Sequence, residues 1–169
     1  MRIGVRVVAL LAMVVVVVLG ATGDGWAEQI VRTNELPADT LIVLQRGACE
    51  RRCAVYNLIV FADGSAIFDG RGYVRRPGLA KTKISLEALR ELLDKAAELN
   101  FFELKSRYDQ ESGCDSANSD APRAIITLST GGKSNTIQHH LGCAGAESER
   151  LKKFEERIDD AVGSVNWVK

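Results

Sequence analysis

Four cysteines, Cys49, Cys53, Cys114 and Cys143, lie downstream of an N-terminal segment that reads as an export signal. That pairing constrains the fold more than any other feature. An exported chain meets an oxidising compartment, and an even set of cysteines there reads as a disulfide framework. Residues 1–27 carry the signal. Arg2 and Arg6 give a basic start, Val7 to Ala21 is an unbroken apolar run, and Gly25-Trp26-Ala27 supplies small residues for cleavage after Ala27. The apolar run is fifteen residues, and a spanning helix needs about 20. No stable membrane span is therefore expected after cleavage; an anchor left by an uncleaved segment is the alternative. With no Asn-x-Ser/Thr sequon in the chain, the expected location is periplasmic or secreted, in a bacterium.

Removing the signal leaves 142 residues with 20 Lys and Arg against 21 Asp and Glu. That length suits one domain with a sizeable core. A near-neutral balance argues against a nucleic-acid binder. The charge is unevenly placed, however. From Arg46 to Lys83 there are eight basic residues against Glu50, Asp63 and Asp69, whereas Ser85 to Asp120 holds four basic against nine acidic. The basic stretch reads either as a face for an anionic surface, such as lipid headgroups or polysaccharide, or as solvated hairpin edges guarded by Arg and Lys. No aromatic interleaving accompanies the basic residues, which favours the second reading.

Residues 28–39 form a polar lead-in, and residues 40–169 read as a single α+β domain. Leu41 to Arg46 is a first strand. Ala54 to Ala62 is a longer one, and Asp63-Gly64 turns it into a return strand from Ser65 to Asp69. A two-residue turn there would put Tyr56, Leu58, Val60 and Ile67 on one face and Val55, Ile59, Phe61 and Phe68 on the other. That predicts a hairpin buried on both sides. Gly72-Tyr73-Val74 is a candidate short strand before Pro77-Gly78 breaks the pattern. Ser85 caps a helix whose apolar stripe is Leu89, Leu92, Leu93, Ala96 and Leu99, and Asn100 ends it. Lys105 to Pro122 is polar and long for a loop. Arg123 to Thr130 and Lys133 to Leu141 flank Gly131-Gly132 as a second hairpin, in which Ile126 faces Ile137, Ala124 faces His139 and Thr127 faces Thr136. Ala146 to Val162 is the second helix, stopped by Gly163, and Trp167 tucks back onto the core. The order strands, helix, strands, helix predicts an antiparallel sheet of two hairpins plus an N-terminal strand, packed by two amphipathic helices.

Four cysteines allow three pairings. Sequence proximity and loop placement favour Cys49–Cys53 and Cys114–Cys143. Two chemical readings compete with a purely structural role. Arg51 and Arg52 between Cys49 and Cys53 would lower a neighbouring thiol pKa, as a redox pair requires; the spacing is C-x-x-x-C and the segment lies between strands, unlike the usual redox motif. Cys49, Cys53, His139, His140 and Cys143 make a zinc ligand set on paper, but adjacent strand residues point to opposite faces. His139 reads instead as a hydrogen-bonded residue at the core edge. No Gly-x-Ser-x-Gly elbow, phosphate-cradling loop or His-Glu-x-x-His motif is present.

Taken together, several residues resemble a family of exported, mostly bacterial proteins catalogued as domain of unknown function 6438. They are Arg46 ahead of Cys49, Cys53-Ala54-Val55-Tyr56, Asp63-Gly64, Phe101-Phe102-Glu103-Leu104 with Tyr108, Gly132-Lys133, His139 and Asn166-Trp167-Val168. The resemblance spans Leu41 to Val168 and implies a single domain; it brings no reaction and no catalytic residue. The expected function is an exported, disulfide-stabilised binding or structural module, not an evident enzyme, with Arg46, Arg51, Arg52, Tyr56 and His139 as candidate binding residues. Its partner is expected to be an unknown protein or an anionic surface, and no cofactor or metal is implied. The alternative is a periplasmic thiol–disulfide redox protein using Cys49 and Cys53.

Overall fold

The computed structural model describes residues 36–169. The signal expected over residues 1–27 and the lead-in up to residue 35 lie outside the described residues. From Leu36 onward the chain forms one α+β domain. A seven-stranded sheet runs in the order β4-β3-β2-β1-β7-β8-β5. Its strands are β1 (Leu41–Arg46), β2 (Val55–Phe61), β3 (Ser65–Gly72), β4 (Gly78–Lys83), β5 (Arg107–Tyr108), β7 (Arg123–Thr130) and β8 (Lys133–His140). Two further pieces, β6 (Ser116–Ala117) and β9 (Cys143–Ala144), pair with each other. Helices α1 (Leu86–Glu98) and α2 (Ala146–Val162) cover one face of the sheet, and a short α3 (Val165–Val168) follows α2.

The N-terminal strand is central. β1 pairs antiparallel with β2 on one side and β7 on the other, so Ile42 and Leu44 are fully buried. The β7–β8 hairpin has the expected register, Ile126 opposite Ile137 and Ala124 opposite His139. Gly131 and Gly132 turn it with φ of 57° and 74°, the pair of positive values that a tight type I′ turn demands. Asp39 clips this turn from the lead-in, its carboxylate accepting from the Gly131 and Gly132 amides at 2.9 and 2.7 Å. Those bonds, the Gly132 amide first, hold the Asp39 pKa below its ordinary value.

The first hairpin departs from expectation by one residue. Val60 faces Ala66, Ile59 faces Ile67 and Leu58 faces Phe68. The loop therefore holds three residues, Ala62-Asp63-Gly64. Gly64 sits at φ +79° and donates its amide to Phe61 O at 2.9 Å, the type I turn with a left-handed third residue. A slip of one residue swaps the faces of the returning strand. Phe68 thus joins Tyr56, Leu58 and Val60 in the core, while Ile67 joins Ile59 and Phe61 on the outer face. The hairpin is consequently not buried on both sides: Leu58, Val60 and Phe68 are at 0% exposure, whereas Phe61 is at 37%.

Two more corrections concern strands. Gly72-Tyr73-Val74 adds no strand, because β3 runs to Gly72 and Tyr73 takes a left-handed φ of 50°. Beyond Pro77-Gly78 a further strand, β4, pairs with β3. Its inward residues are Ala80 and Thr82, too small to give an alternating apolar signal. The sheet is also mixed and not wholly antiparallel, since β5 runs parallel to β8. Tyr108 explains this: its side chain is fully buried, pulling the start of the polar 105–122 segment against the sheet edge.

The helices follow their stripes. Ser85 Oγ caps α1 by accepting from the Ala88 amide at 3.0 Å, and Leu89, Leu92 and Ala96 are buried. Asn100 ends α1 at a left-handed φ of 53°, ahead of a 3-10 turn at Phe101–Glu103. On α2, Leu151, Phe154, Ile158 and Val162 face the core, and Gly163 closes it at φ +72°. Trp167 lies 5.0 Å from the Phe68 ring, centroid to centroid. No helix among the described residues is long and apolar enough to cross a membrane.

Candidate functional site

One row of residues crosses five strands on the face beneath α2. Arg46 at the end of β1 faces Tyr56 on β2 and Ala124 on β7; Ala124 faces His139 on β8; His139 faces Tyr108 on β5. Helix α2 lies over this row. Ser148, Glu155 and Asp159 are spaced seven and four apart, so they fall on one side of it. Ala124 carries only a methyl group, which leaves room above the sheet for Glu155 to reach both neighbours.

The result is a continuous hydrogen-bonded network. Arg46 Nη1 donates to Glu155 Oε2 at 2.7 Å, and its Nε and Nη2 donate to Asp159 Oδ2 at 3.1 and 2.7 Å. Asp159 Oδ1 also accepts from Tyr56 OH at 2.7 Å and from Ser164 Oγ at 2.8 Å. His139 bridges the other end, Nδ1 to Glu155 Oε1 and Nε2 to Ser148 Oγ, both at 2.8 Å. Ser148 Oγ donates to the Cys143 carbonyl at 2.9 Å. A hydroxyl has one hydrogen to give, so Ser148 accepts from His139 Nε2, which fixes a hydrogen on that nitrogen. Beside it, Tyr108 OH donates to Glu147 Oε2 at 2.7 Å. Among the described residues no buried side-chain nitrogen or oxygen lacks a partner, as a low-dielectric interior requires.

Electrostatics follow from burial. Desolvation works against the Arg46 charge, but Asp159 and then Glu155 outweigh it, and the pKa rises above the ordinary arginine value. Burial, then the Asp159 charge, pushes the Tyr56 hydroxyl up to about 12. Tyr108 is likewise pushed up to about 12, by burial and by its bond to Glu147. Both phenols are thus held in the neutral, donating form.

Ser148, His139 and Glu155 have the connectivity of a serine–histidine–acid triad. Their setting does not. A nucleophile must reach its substrate, and Ser148 and His139 are each 1% exposed, with the Ser148 hydrogen engaged by a backbone carbonyl. The arrangement instead ties β1, β2 and β8 to α2 and to the start of β9.

The same residues border an open cleft. A cavity of about 240 Å³ is lined by Arg46, Cys53, Tyr56, Arg123, Leu141 and Val168. On the far side of Arg123 a second cleft of about 280 Å³ is lined by Arg107, Asp109, Glu111, Ser119 and His140 among others, with Arg107 paired to Asp109 at 3.1 Å.

Of the residues singled out from sequence, Arg46, Tyr56 and His139 converge on the network. Arg51 and Arg52 do not: they are exposed on the loop that joins Cys49 to Cys53. Cys114 is joined to Cys143, whose carbonyl anchors Ser148. All four thiols are thus in disulfides, which removes the cysteines of the zinc set. Sequence reading missed Ser148, Glu155, Asp159 and Ser164. The signal that could have found the first three is the arc of α2, where polar residues stand at positions contiguous with the apolar stripe; Ser164 lies past the end of that helix.

These features define a class: a disulfide-bonded α+β domain whose central strand is pinned to its last long helix by buried charge. A family model described as a domain of unknown function, DUF6438, matches residues 40–162, and the chain belongs to that family. No curated protein matches it.

Proposed function

We propose that this protein is an exported binding or structural module of the periplasm or cell exterior, and that its ligand site is the cleft beneath the Cys49–Cys53 loop. The observation that carries the reading is the meeting there of Arg46, Cys53, Tyr56 and Arg123 around one opening. Arg46 is neutralised by two carboxylates, whereas Arg123, Arg51 and Arg52 stand exposed at or near the rim. That leaves a surplus of positive charge facing solvent, which favours an anionic group. At about 240 Å³ the cleft is below the usual range of about 300–1,000 Å³ for small-molecule pockets. A terminal carboxylate or an acidic side chain of a protein partner is the better fit. The test is titration of isotope-labelled protein with acetate and with a short acidic peptide, followed by amide NMR. Shifts should concentrate at Cys53, Ala54, Tyr56 and Leu141 and vanish in Arg123→Ser. Shifts scattered over the surface, or unchanged by that substitution, would remove the cleft from the proposal.

The half-buried Cys49 and Cys53, flanked by exposed arginines, also support the redox alternative. That alternative requires a bridge with a potential well above about −300 mV, the level below which structural disulfides lie. A redox titration of the oxidised protein decides it.

A further inference from the structure

We infer that the second cleft, where β5, β7 and β8 meet the 109–119 loop, is a binding site for a small free amino acid, held by its carboxylate and its ammonium together. The residue that carries the inference is His140. It is 8% exposed, and its neighbour His139 points to the opposite face of β8, into the network under α2. The Gly142 amide donates to His140 Nδ1 at 3.3 Å, so the neutral ring keeps its hydrogen on Nε2. No group among the described residues accepts from Nε2, yet no buried side-chain nitrogen among them lacks a partner. Nε2 is therefore open to solvent, on the cleft that His140 lines.

Charged groups of both signs border the same cleft. Arg123 stands opposite His140 in the β7–β8 register. It is exposed, and among the described residues its guanidinium makes no hydrogen bond or ion pair. Arg107 is aligned by Asp109, Nε to Oδ2 at 3.1 Å, and its Nη groups form no hydrogen bond within the described chain. Asp109 is already engaged, because its Oδ1 also accepts from the Glu111 and Ser112 amides at 3.0 and 3.1 Å. The carboxylate of Glu111 has no partner among the described residues.

These open groups select the ligand. A bare anion would meet Arg123 and His140 but would also face Glu111, and Asp109 and Glu111 together balance the two guanidiniums. A zwitterion satisfies all of them. Its carboxylate fits the planar fork of Arg123 with the His140 Nε2 hydrogen beside it, and its ammonium fits Glu111. At about 280 Å³ the cleft lies just under the range of about 300–1,000 Å³ for drug-sized ligands, which suits a molecule of few atoms. Its loop wall is fixed before any ligand arrives: Cys114 is bonded to Cys143, β6 pairs with β9, and the Asn118 amide donates to Gly142 O at 3.0 Å. Little ordering is then needed on binding. Ordinary solvated charge does not explain an imidazole nine-tenths buried with one nitrogen left facing a cavity. This cleft and the one beneath the Cys49–Cys53 loop share Arg123 as a wall and no other lining residue.

The experiment is titration of isotope-labelled protein, both disulfides formed, with L-serine, with N-acetylserine and with serinamide, followed by amide NMR. N-acetylserine lacks the ammonium and serinamide lacks the carboxylate. L-Serine should move the amides of Gln110, Glu111, Ser119 and His140, and should bind about tenfold or more tightly than either blocked form. Glu111→Gln, at an exposed position, should remove the preference for L-serine over N-acetylserine. His140→Phe keeps a flat ring of similar size and should weaken L-serine and N-acetylserine alike; should that variant fail to fold, Glu111→Gln decides alone. Equal binding of L-serine and N-acetylserine would mean an anion site only and overturns the inference. So does a preference that survives Glu111→Gln, or the absence of shifts at this cleft. Shifts confined to Cys53, Ala54 and Tyr56 would report the other cleft and count against this one.

Discussion

At the scale of the residue, the network depends on one guanidinium standing between two carboxylates. Glu155 is fully buried and Asp159 half-buried, and Arg46 is the cation that meets both. Removing one partner of a buried pair leaves the other charge uncompensated. Arg46→Met should therefore lower stability by about 3–5 kcal/mol, read as a fall in the urea midpoint. Adding Asp159→Asn to that variant should recover part of the loss, because the stranded charge is then gone. Arg46, Tyr56 and His139 were legible in the sequence as marked residues at strand positions. Their partners were not, because Glu155 and Asp159 sit in a helix rich in charge, and only the position of β1 beneath α2 tells which of its acids turn inward.

At the scale of the element, local turn chemistry outweighed hydrophobic pattern. The pattern of β2 and β3 was visible, yet which side of β3 is buried depends on whether the turn holds two residues or three. Asp63 settles it by accepting from the Ser65 amide and hydroxyl at 2.9 and 2.6 Å, which closes the turn around Gly64. A Cβ at Gly64 would meet Ile84 O at 2.5 Å, whereas one at Gly132 would meet nothing within 4 Å. Both sites have a positive φ, so both alanine substitutions carry the left-handed penalty of about 1–2 kcal/mol. Gly64→Ala should then cost clearly more than Gly132→Ala, a difference that paired thermal melts would reveal. The second hairpin was legible in full because its glycine pair admits one tight turn. Strand β4 was not, since its inward residues are small and its outward ones are a leucine and two lysines.

At the scale of the whole molecule, the two disulfides have unequal reach. Cys49–Cys53 closes a short loop, with a sequence separation of 4, and Cys114–Cys143 closes one with a separation of 29. Loop-closure entropy puts their contributions at about 2 and about 3.6 kcal/mol. The double serine replacement of Cys114 and Cys143 should therefore lower the melting temperature more than that of Cys49 and Cys53. The larger loss is reinforced because Cys143 O holds Ser148, and through it His139. An equal loss from the two pairs would mean that the second bridge does not secure the network. The α+β class and the cysteine pairing were legible from loop placement; the parallel β5 was not, because a polar segment gives no periodicity to read.

The central place of β1 has a consequence for how the protein comes into being. Its two neighbours in the sheet begin at Val55 and Arg123, and its arginine closes onto Asp159, 113 residues further along. Contacts so distant in sequence form late and slowly. During synthesis β1 (the first strand among the described residues) therefore waits for β7 to complete its second edge, and α2 must be made before the charge on Arg46 meets its carboxylates. The described domain therefore reaches its final structure only after α2 has been made, and a chain cut short before Ala146 would leave Arg46 without either of its carboxylates.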